Sequence, residues 1–185
     1  MNLPNVITVT RILLIPVFIG LYMVQQGWSI FAASVLFALA ALTDWLDGYL
    51  ARRLNQTTPF GAFLDPVADK LIVVSALIVL VAYHSNMWLT LPGLVIVGRE
   101  IVISALREWM ADMDDSVAVA VSYLGKIKTT AQMIAITLLL AQPVGVESVY
   151  LQVAYVLLYL AAVMTLWSMW QYLSAAWSVL SRGLR

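Results

Sequence analysis

The 185 residues are 63% hydrophobic and 11% charged, with ten Lys and Arg against ten Asp and Glu, no cysteine and a formal net charge of zero. A mean hydropathy of +0.93 lies outside the range of soluble globular domains, so the chain reads as an integral membrane protein. Disulfide and thiol chemistry are excluded, and nothing in the chain points to nucleic acid.

Apolar stretches at 13–23, 31–42, 71–82, 87–102, 133–141 and 149–167 predict six transmembrane helices, several of them long enough only when extended through their polar ends. The first follows Arg11 and holds Pro16 in its opening turns, where proline is best tolerated. Residues 1–5 are expected at the membrane interface. A cleaved signal peptide is the weaker reading of this segment, since one basic residue precedes it and no small-residue cleavage site leads into a soluble domain.

The second stretch ends in Asp44-Trp45-Leu46-Asp47-Gly48-Tyr49-Leu50-Ala51-Arg52, and the third opens with Gly61, Asp65 and Asp69. Residues 53–60, with Pro59, form a short link that places these two acidic ends at one membrane face. The fourth carries Arg99 and Glu100, and residues 112–116 read as a solvated acidic turn. The fifth is entered through Gly125-Lys126-Ile127-Lys128, and the sixth ends among Trp167, Trp170 and Trp177, read as packing or interface residues. No repeat or low-complexity tract interrupts the chain, so residues 1–185 are expected to form one domain.

Charge orients the bundle. If six spans alternate, Arg11, Arg52, Arg53, Lys70, Arg99, Arg107, Lys126, Lys128, Arg182 and Arg185 all fall on one side, while the opposite loops at 25–29, 84–86 and 142–148 carry no Lys or Arg. The positive-inside rule then puts both termini and the acidic cluster at the cytoplasm. The sole histidine, His84, and Glu147 lie at the far side and receive no role; Trp28 and Trp88, with Trp45 and Trp109 opposite, fit two aromatic belts.

Four carboxylates in or beside apolar segments need compensation, because an Asp at a membrane-helix centre costs roughly 2.5–3.5 kcal/mol. Asp44 and Asp47, three apart, share a face with Ala51; Asp65 and Asp69, four apart, form a second such stripe, one turn after Gly61. Solvated caps do not explain Asp44 and Asp47, which sit at a helix C-terminal end where the macrodipole disfavours anions. An all-oxygen donor set selects hard cations, and four charges suit two metal ions of the kind used for displacement at phosphorus. Arg52, two turns beyond Asp44, is placed to hold a phosphate. A proton- or cation-coupled transporter is the rival from another class, although its site would lie near the midplane between repeats.

The pattern Asp44-x2-Asp47-Gly48-x2-Ala51-Arg52-x8-Gly61-x3-Asp65-x3-Asp69 resembles the signature of the CDP-alcohol phosphatidyltransferases at every fixed position. The resemblance implies a six-helix membrane fold with the site at the cytoplasmic ends of helices 2 and 3, in the bacterial inner membrane, and a homodimer. It also implies transfer of a phosphatidyl group from CDP-diacylglycerol to an alcohol with release of CMP. Asp44, Asp47, Asp65 and Asp69 would hold two divalent cations, Mg²⁺ or Mn²⁺, with Asp69 as general base. Gly48, Arg52, Thr58 and Gly61 would lie at the CDP group, with Thr8 and Thr10 near the nucleotide.

Arg99, Arg107, Lys126 and Lys128 are more cations than a neutral acceptor needs, and Arg99 lies deeper than topology alone accounts for. Gly98-Arg99-Glu100-Ile101, Ala105-Leu106-Arg107-Glu108-Trp109 and Gly125-Lys126-Ile127-Lys128-Thr129-Thr130 resemble the bacterial branch of the family whose acceptor is sn-glycerol 3-phosphate. The acceptor phosphate would rest on Arg99, Lys126, Lys128 and Arg107. A sister activity that uses phosphatidylglycerol, as in cardiolipin synthesis, is the nearest alternative. Glu100 and Glu108 are read as partners for neighbouring arginines.

Overall fold

A chain this apolar satisfies its backbone N–H and C=O groups segment by segment, which only helices or closed barrels allow in lipid. The computed structural model describes residues 3–53, 58–112 and 123–183, with the backbone alone at 3–4, 44–53, 62, 107, 111–112, 123–126, 175 and 178–183. These residues form six helices: α1 (Leu3–Met23), α2 (Gly27–Arg53), α3 (Pro59–His84), α4 (Met87–Asp112), α5 (Tyr123–Leu140) and α6 (Val149–Gly183). Four contain segments long and apolar enough to cross a membrane: Asn5–Met23, Pro59–His84, Met87–Met110 and Val149–Ser174. The apolar parts of the other two are shorter, Gly27–Thr43 and Ile127–Leu140.

The helix ends follow local chemistry. Thr58 caps α3 with its hydroxyl accepting from Gly61 N–H at 3.0 Å, and Pro59 follows in the first turn, where its missing N–H leaves no bond unmade. Gln25 (φ 53°) and Ser85 (φ 44°) take left-handed conformations between α1 and α2 and after α3, and Ser85 N–H returns to Val81 O at 3.0 Å. Helix α1 starts well ahead of its apolar stretch, so Asn5 is a helical residue, buried against its neighbours. Of the expected acidic turn, residues 113–116 lie outside the described residues.

Helix α1 packs against both α2 and α3, while α5 touches α2, α3 and α6, and α4 touches α3 and α6. The two helices carrying the carboxylates therefore share α1 and α5 as neighbours. The main core joins all six helices, with Phe18 edge-on to Phe37 at 6.0 Å and Tyr22 edge-on to Tyr83 at 5.5 Å. Ser34 Oγ donates to Thr137 O at 2.9 Å and ties α2 to α5. A smaller cluster of Ile103, Met110, Tyr172 and Ala176 joins α4 to α6, with Trp109 packed against it.

Outward faces are apolar along the whole bundle, including Leu13, Phe31, Leu94, Ile101, Val156 and Val163. Exposed apolar surface on that scale marks contact with lipid rather than water. Trp28, Trp88, Trp167, Trp170 and Trp177 are all exposed, so none of the three on α6 belongs to the core of the described residues.

Candidate active site

The carboxylate-bearing segments sit on the last turns of α2 and the first turns of α3, joined through residues 54–58 and so at one end of the bundle. Asp44, Asp47, Gly48 and Arg52 lie on α2, and their side chains fall outside the described residues. Asp65 and Asp69 are described, and α1 holds each of them. Thr8 Oγ1 donates to Asp65 Oδ1 at 2.7 Å, and Arg11 Nη1 donates to Asp69 Oδ1 at 2.6 Å. Arg11 is 1% exposed, so its guanidinium faces the site from inside the bundle.

One turn nearer the end, Asn5 and Thr58 bond reciprocally. Asn5 Nδ2 donates to Thr58 Oγ1 at 2.9 Å, and the Thr58 hydroxyl donates to Asn5 Oδ1 at 3.2 Å. Gly61 is needed at this crossing, because a Cβ there would stand 2.6 Å from Asn5 Oδ1 and 3.2 Å from Thr58 Oγ1. Asn5, Thr8 and Arg11 thus form a polar stripe at three-residue spacing that docks α1 onto the start of α3. Thr10 is exposed and donates to Val6 O at 2.8 Å, on another side of α1.

A second polar group lies between α4, α5 and α6. Arg99 Nη1 donates to Glu100 Oε1 at 2.7 Å and Arg99 Nη2 to Ser168 Oγ at 3.3 Å. Lys128 Nζ stands 3.8 Å from the same Glu100 oxygen. Lys128 is buried at 4% exposure, which a lysine tolerates only with compensation close by. Arg107 and Lys126, whose side chains are not described, lie two turns from Arg99 on α4 and two residues from Lys128 on α5. Lys70, beside Asp69, donates to Ser104 Oγ and links α3 to the turn of α4 that follows Glu100.

The sequence model of the family described as CDP-alcohol phosphatidyltransferase matches residues 1–167. The chain belongs to the CDP-alcohol phosphatidyltransferase family. A relative from Pseudomonas fluorescens, named CDP-diacylglycerol--glycerol-3-phosphate 3-phosphatidyltransferase, is 57% identical over 178 residues, covering 96% of this chain and 91% of its own length. Relatives of the same name from Shigella flexneri serotype 5b and Escherichia coli K12 are each 52% identical over 176 residues, covering 95% of this chain and 94% of theirs.

CDP-alcohol phosphatidyltransferases generally depend on divalent metals. Among the described residues no three His, Cys, Asp or Glu side chains group closely enough to hold an ion, and the side chains of two of the four expected ligands, Asp44 and Asp47, are not among those described. The described half fits a hard cation: Asp65 and Asp69 are partly exposed, one turn apart, and offer oxygen donors. In this member of the family, the sequence pattern misses Asn5, Arg11, Ser104 and Ser168. The spacing Asn5-x2-Thr8-x2-Arg11 was the available signal for the first two, a polar stripe on an otherwise apolar helix.

Proposed function

We propose that the chain transfers the phosphatidyl group of CDP-diacylglycerol to the sn-1 hydroxyl of sn-glycerol 3-phosphate. The new bond joins that oxygen to the phosphatidyl phosphorus, the bond to CMP breaks, and phosphatidylglycerophosphate and CMP leave. The observation that carries this reading is the 57% identity, across 96% of the chain, to a relative named for that reaction.

Asp44, Asp47, Asp65 and Asp69 would hold two divalent cations, Mg²⁺ or Mn²⁺, which would supply positive charge to offset the negative charge of the pyrophosphate and of the departing CMP. Asp69 takes the proton of the attacking hydroxyl, and Arg11 fixes the orientation of that carboxylate. Thr8 orients Asp65. Gly48 and Arg52 meet the CDP group, with Thr58 and Gly61 lining its approach and Thr10 at the outer side of α1. Arg99 and Lys128 bind the acceptor phosphate, with Arg107 and Lys126 drawing it in from the end of the bundle.

Residues 1–185 act as one domain of six spans, with both termini and the site at the cytoplasmic face of a bacterial inner membrane. Helix α2 has 27 residues, about 40 Å at the helical rise, and crosses with its polar end included. Helix α5, with 18 residues, reaches about 27 Å, close to the hydrocarbon thickness. The one-sided distribution of Lys and Arg supports this orientation. The acyl chains of the donor stay in the bilayer while its CDP group meets the aqueous end. A homodimer belongs to the same proposal and is read from the mass of the protein in detergent.

The test is CMP release by purified protein from CDP-diacylglycerol with Mg²⁺ or Mn²⁺, comparing sn-glycerol 3-phosphate with phosphatidylglycerol, serine and inositol. Release that depends on sn-glycerol 3-phosphate supports the reading. Release with phosphatidylglycerol instead assigns the sister activity, and no release with any acceptor removes the enzyme reading.

A further inference from the structure

A threonine in an apolar helix avoids an unmade bond by donating its hydroxyl to the carbonyl one turn back. Thr10 bonds in this way to Val6 O, Thr90 to Asn86 O and Thr137 to Met133 O, at 2.8–2.9 Å. Thr165 does not: it is fully buried on α6, and its Oγ1 has no partner among the described residues. Gln132 Oε1, on an α5 residue 5% exposed, and Arg99 Nε on α4 are buried without partners too. A buried polar atom left unbonded costs the desolvation of its group, so three on three packed helices need a reason.

The three share one neighbourhood. Arg99 Nη2 donates to Ser168 Oγ at 3.3 Å, and Ser168 Oγ donates in turn to Thr165 O at 2.9 Å. Glu100, paired with Arg99, lies 3.8 Å from Lys128 Nζ, and Gln132 follows Lys128 by one turn on the same face of α5. Helices α5 and α6 are joined through residues 141–148 and run antiparallel. The steps from Lys128 on to Gln132 and from Ser168 back to Thr165 therefore lead the same way along the bundle.

Gln132 Oε1 only accepts, Arg99 Nε only donates, and the Thr165 hydroxyl does either. An occupant that satisfies all three carries both acceptors and a donor. A phosphate group supplies the acceptors, and a hydroxyl on the same molecule supplies the donor. In sn-glycerol 3-phosphate the 1-hydroxyl is committed to attack, which leaves the 2-hydroxyl for this purpose.

We propose that Gln132 and Thr165 select the acceptor: Thr165 Oγ1 and Arg99 Nε donate to its phosphate, and Gln132 Oε1 accepts from its 2-hydroxyl. The inference rests on the acceptor reading given above. Its consequence is that a phosphomonoester of the same length without the 2-hydroxyl leaves Gln132 unbonded and is discriminated against.

The experiment compares kcat/KM for sn-glycerol 3-phosphate and for 3-hydroxypropyl phosphate, the same acceptor without its 2-hydroxyl, in purified wild-type, Gln132→Met and Thr165→Val protein. The thermal midpoint of each is read without substrate. Wild type is expected to prefer sn-glycerol 3-phosphate by roughly tenfold, and Gln132→Met to lose most of that preference. Thr165→Val should raise the KM for both acceptors by about three- to tenfold, the size of one hydrogen bond, with the preference kept. The KM for CDP-diacylglycerol holds. Both midpoints stay at or above that of wild type, because an unbonded polar atom gives way to an apolar group of similar shape. A wild-type enzyme that uses the two acceptors equally overturns the proposal without any variant, and so does a Gln132→Met enzyme that keeps the preference. A midpoint below wild type in either variant marks an atom already satisfied without substrate and also overturns it. CMP release that needs a different alcohol removes the acceptor reading and this proposal together, whereas dependence on sn-glycerol 3-phosphate without the preference removes this proposal alone.

Discussion

Arg11 Nη1 lies 2.6 Å from Asp69 Oδ1, with the arginine side chain 1% exposed and the aspartate 42% exposed. One end of this ion pair is sealed in the bundle and the other is open at its surface. The buried guanidinium holds one carboxylate oxygen in place, and the geometry therefore couples the stability of α1 to the group assigned as base.

Replacing Arg11 with Gln should lower kcat by about 10²-fold, a part of what a positioned base contributes, with smaller changes in either KM. Arg11→Lys should recover little, because a single ammonium on a different stem does not reproduce the guanidinium contact. Asp69→Asn should lose turnover and also stability. It leaves the guanidinium buried without this counter-ion, a change worth about 3–5 kcal/mol for a fully buried pair and less here because Asp69 is partly exposed. Steady-state kinetics with a thermal midpoint for each variant checks both; an Arg11→Gln enzyme of normal kcat removes the positioning role.

Chelation by EDTA should abolish CMP release, and added Mg²⁺ or Mn²⁺ should restore it. Thr8→Val deletes the hydroxyl that donates to Asp65 Oδ1 at 2.7 Å at little change in volume. A hydrogen bond to a charged group contributes about 1.5–3 kcal/mol, so the metal concentration for half-maximal rate should rise about tenfold or more, while Thr8→Ser stays near wild type. A metal titration of the three proteins reads the difference.

Gly61→Ala should displace Asn5, whose Oδ1 would be 2.6 Å from the new Cβ. The Asn5–Thr58 pair is then broken and α1 shifts on α3, an overpacking cost of about 1–3 kcal/mol. The expected result is a lower thermal midpoint together with lower kcat, and Asn5→Ala in the same protein should recover part of the midpoint by making room. A Gly61→Ala enzyme of unchanged midpoint would show that the crossing tolerates the methyl group.

Arg99→Ala and Lys128→Gln should each raise the KM for sn-glycerol 3-phosphate about tenfold or more, since a hydrogen bond to a charged partner is worth roughly 1.5–3 kcal/mol. The KM for CDP-diacylglycerol should hold. Lys128 sits in the interior, so its variant also needs a thermal midpoint to separate loss of fold from loss of acceptor. An unchanged acceptor KM in a folded Arg99→Ala protein takes that residue out of the seat.

The candidate site is proposed largely from the chain alone because its signals are local. The spacings Asp44-x2-Asp47 and Asp65-x3-Asp69 each fall within one helix, and a carboxylate in an apolar helix is conspicuous from composition. The six helices were likewise legible from apolar stretches, although α1 and α5 begin well before theirs, since polar residues at a helix end can be buried by a neighbouring helix. Thr58 and Gly61 were marked for the nucleotide; the geometry adds that they cap α3 and admit Asn5.

The sequence by itself determined the membrane setting, the helical class and the carboxylate motif, since hydropathy and helical period depend only on residues near one another in the chain. Only the tertiary structure decided that Arg11 reaches Asp69 across 58 positions and that Glu100 stands between Arg99 and Lys128. The physical reason is that an ion pair between helices depends on which faces pack together, and that choice is made by the whole bundle as it buries its core.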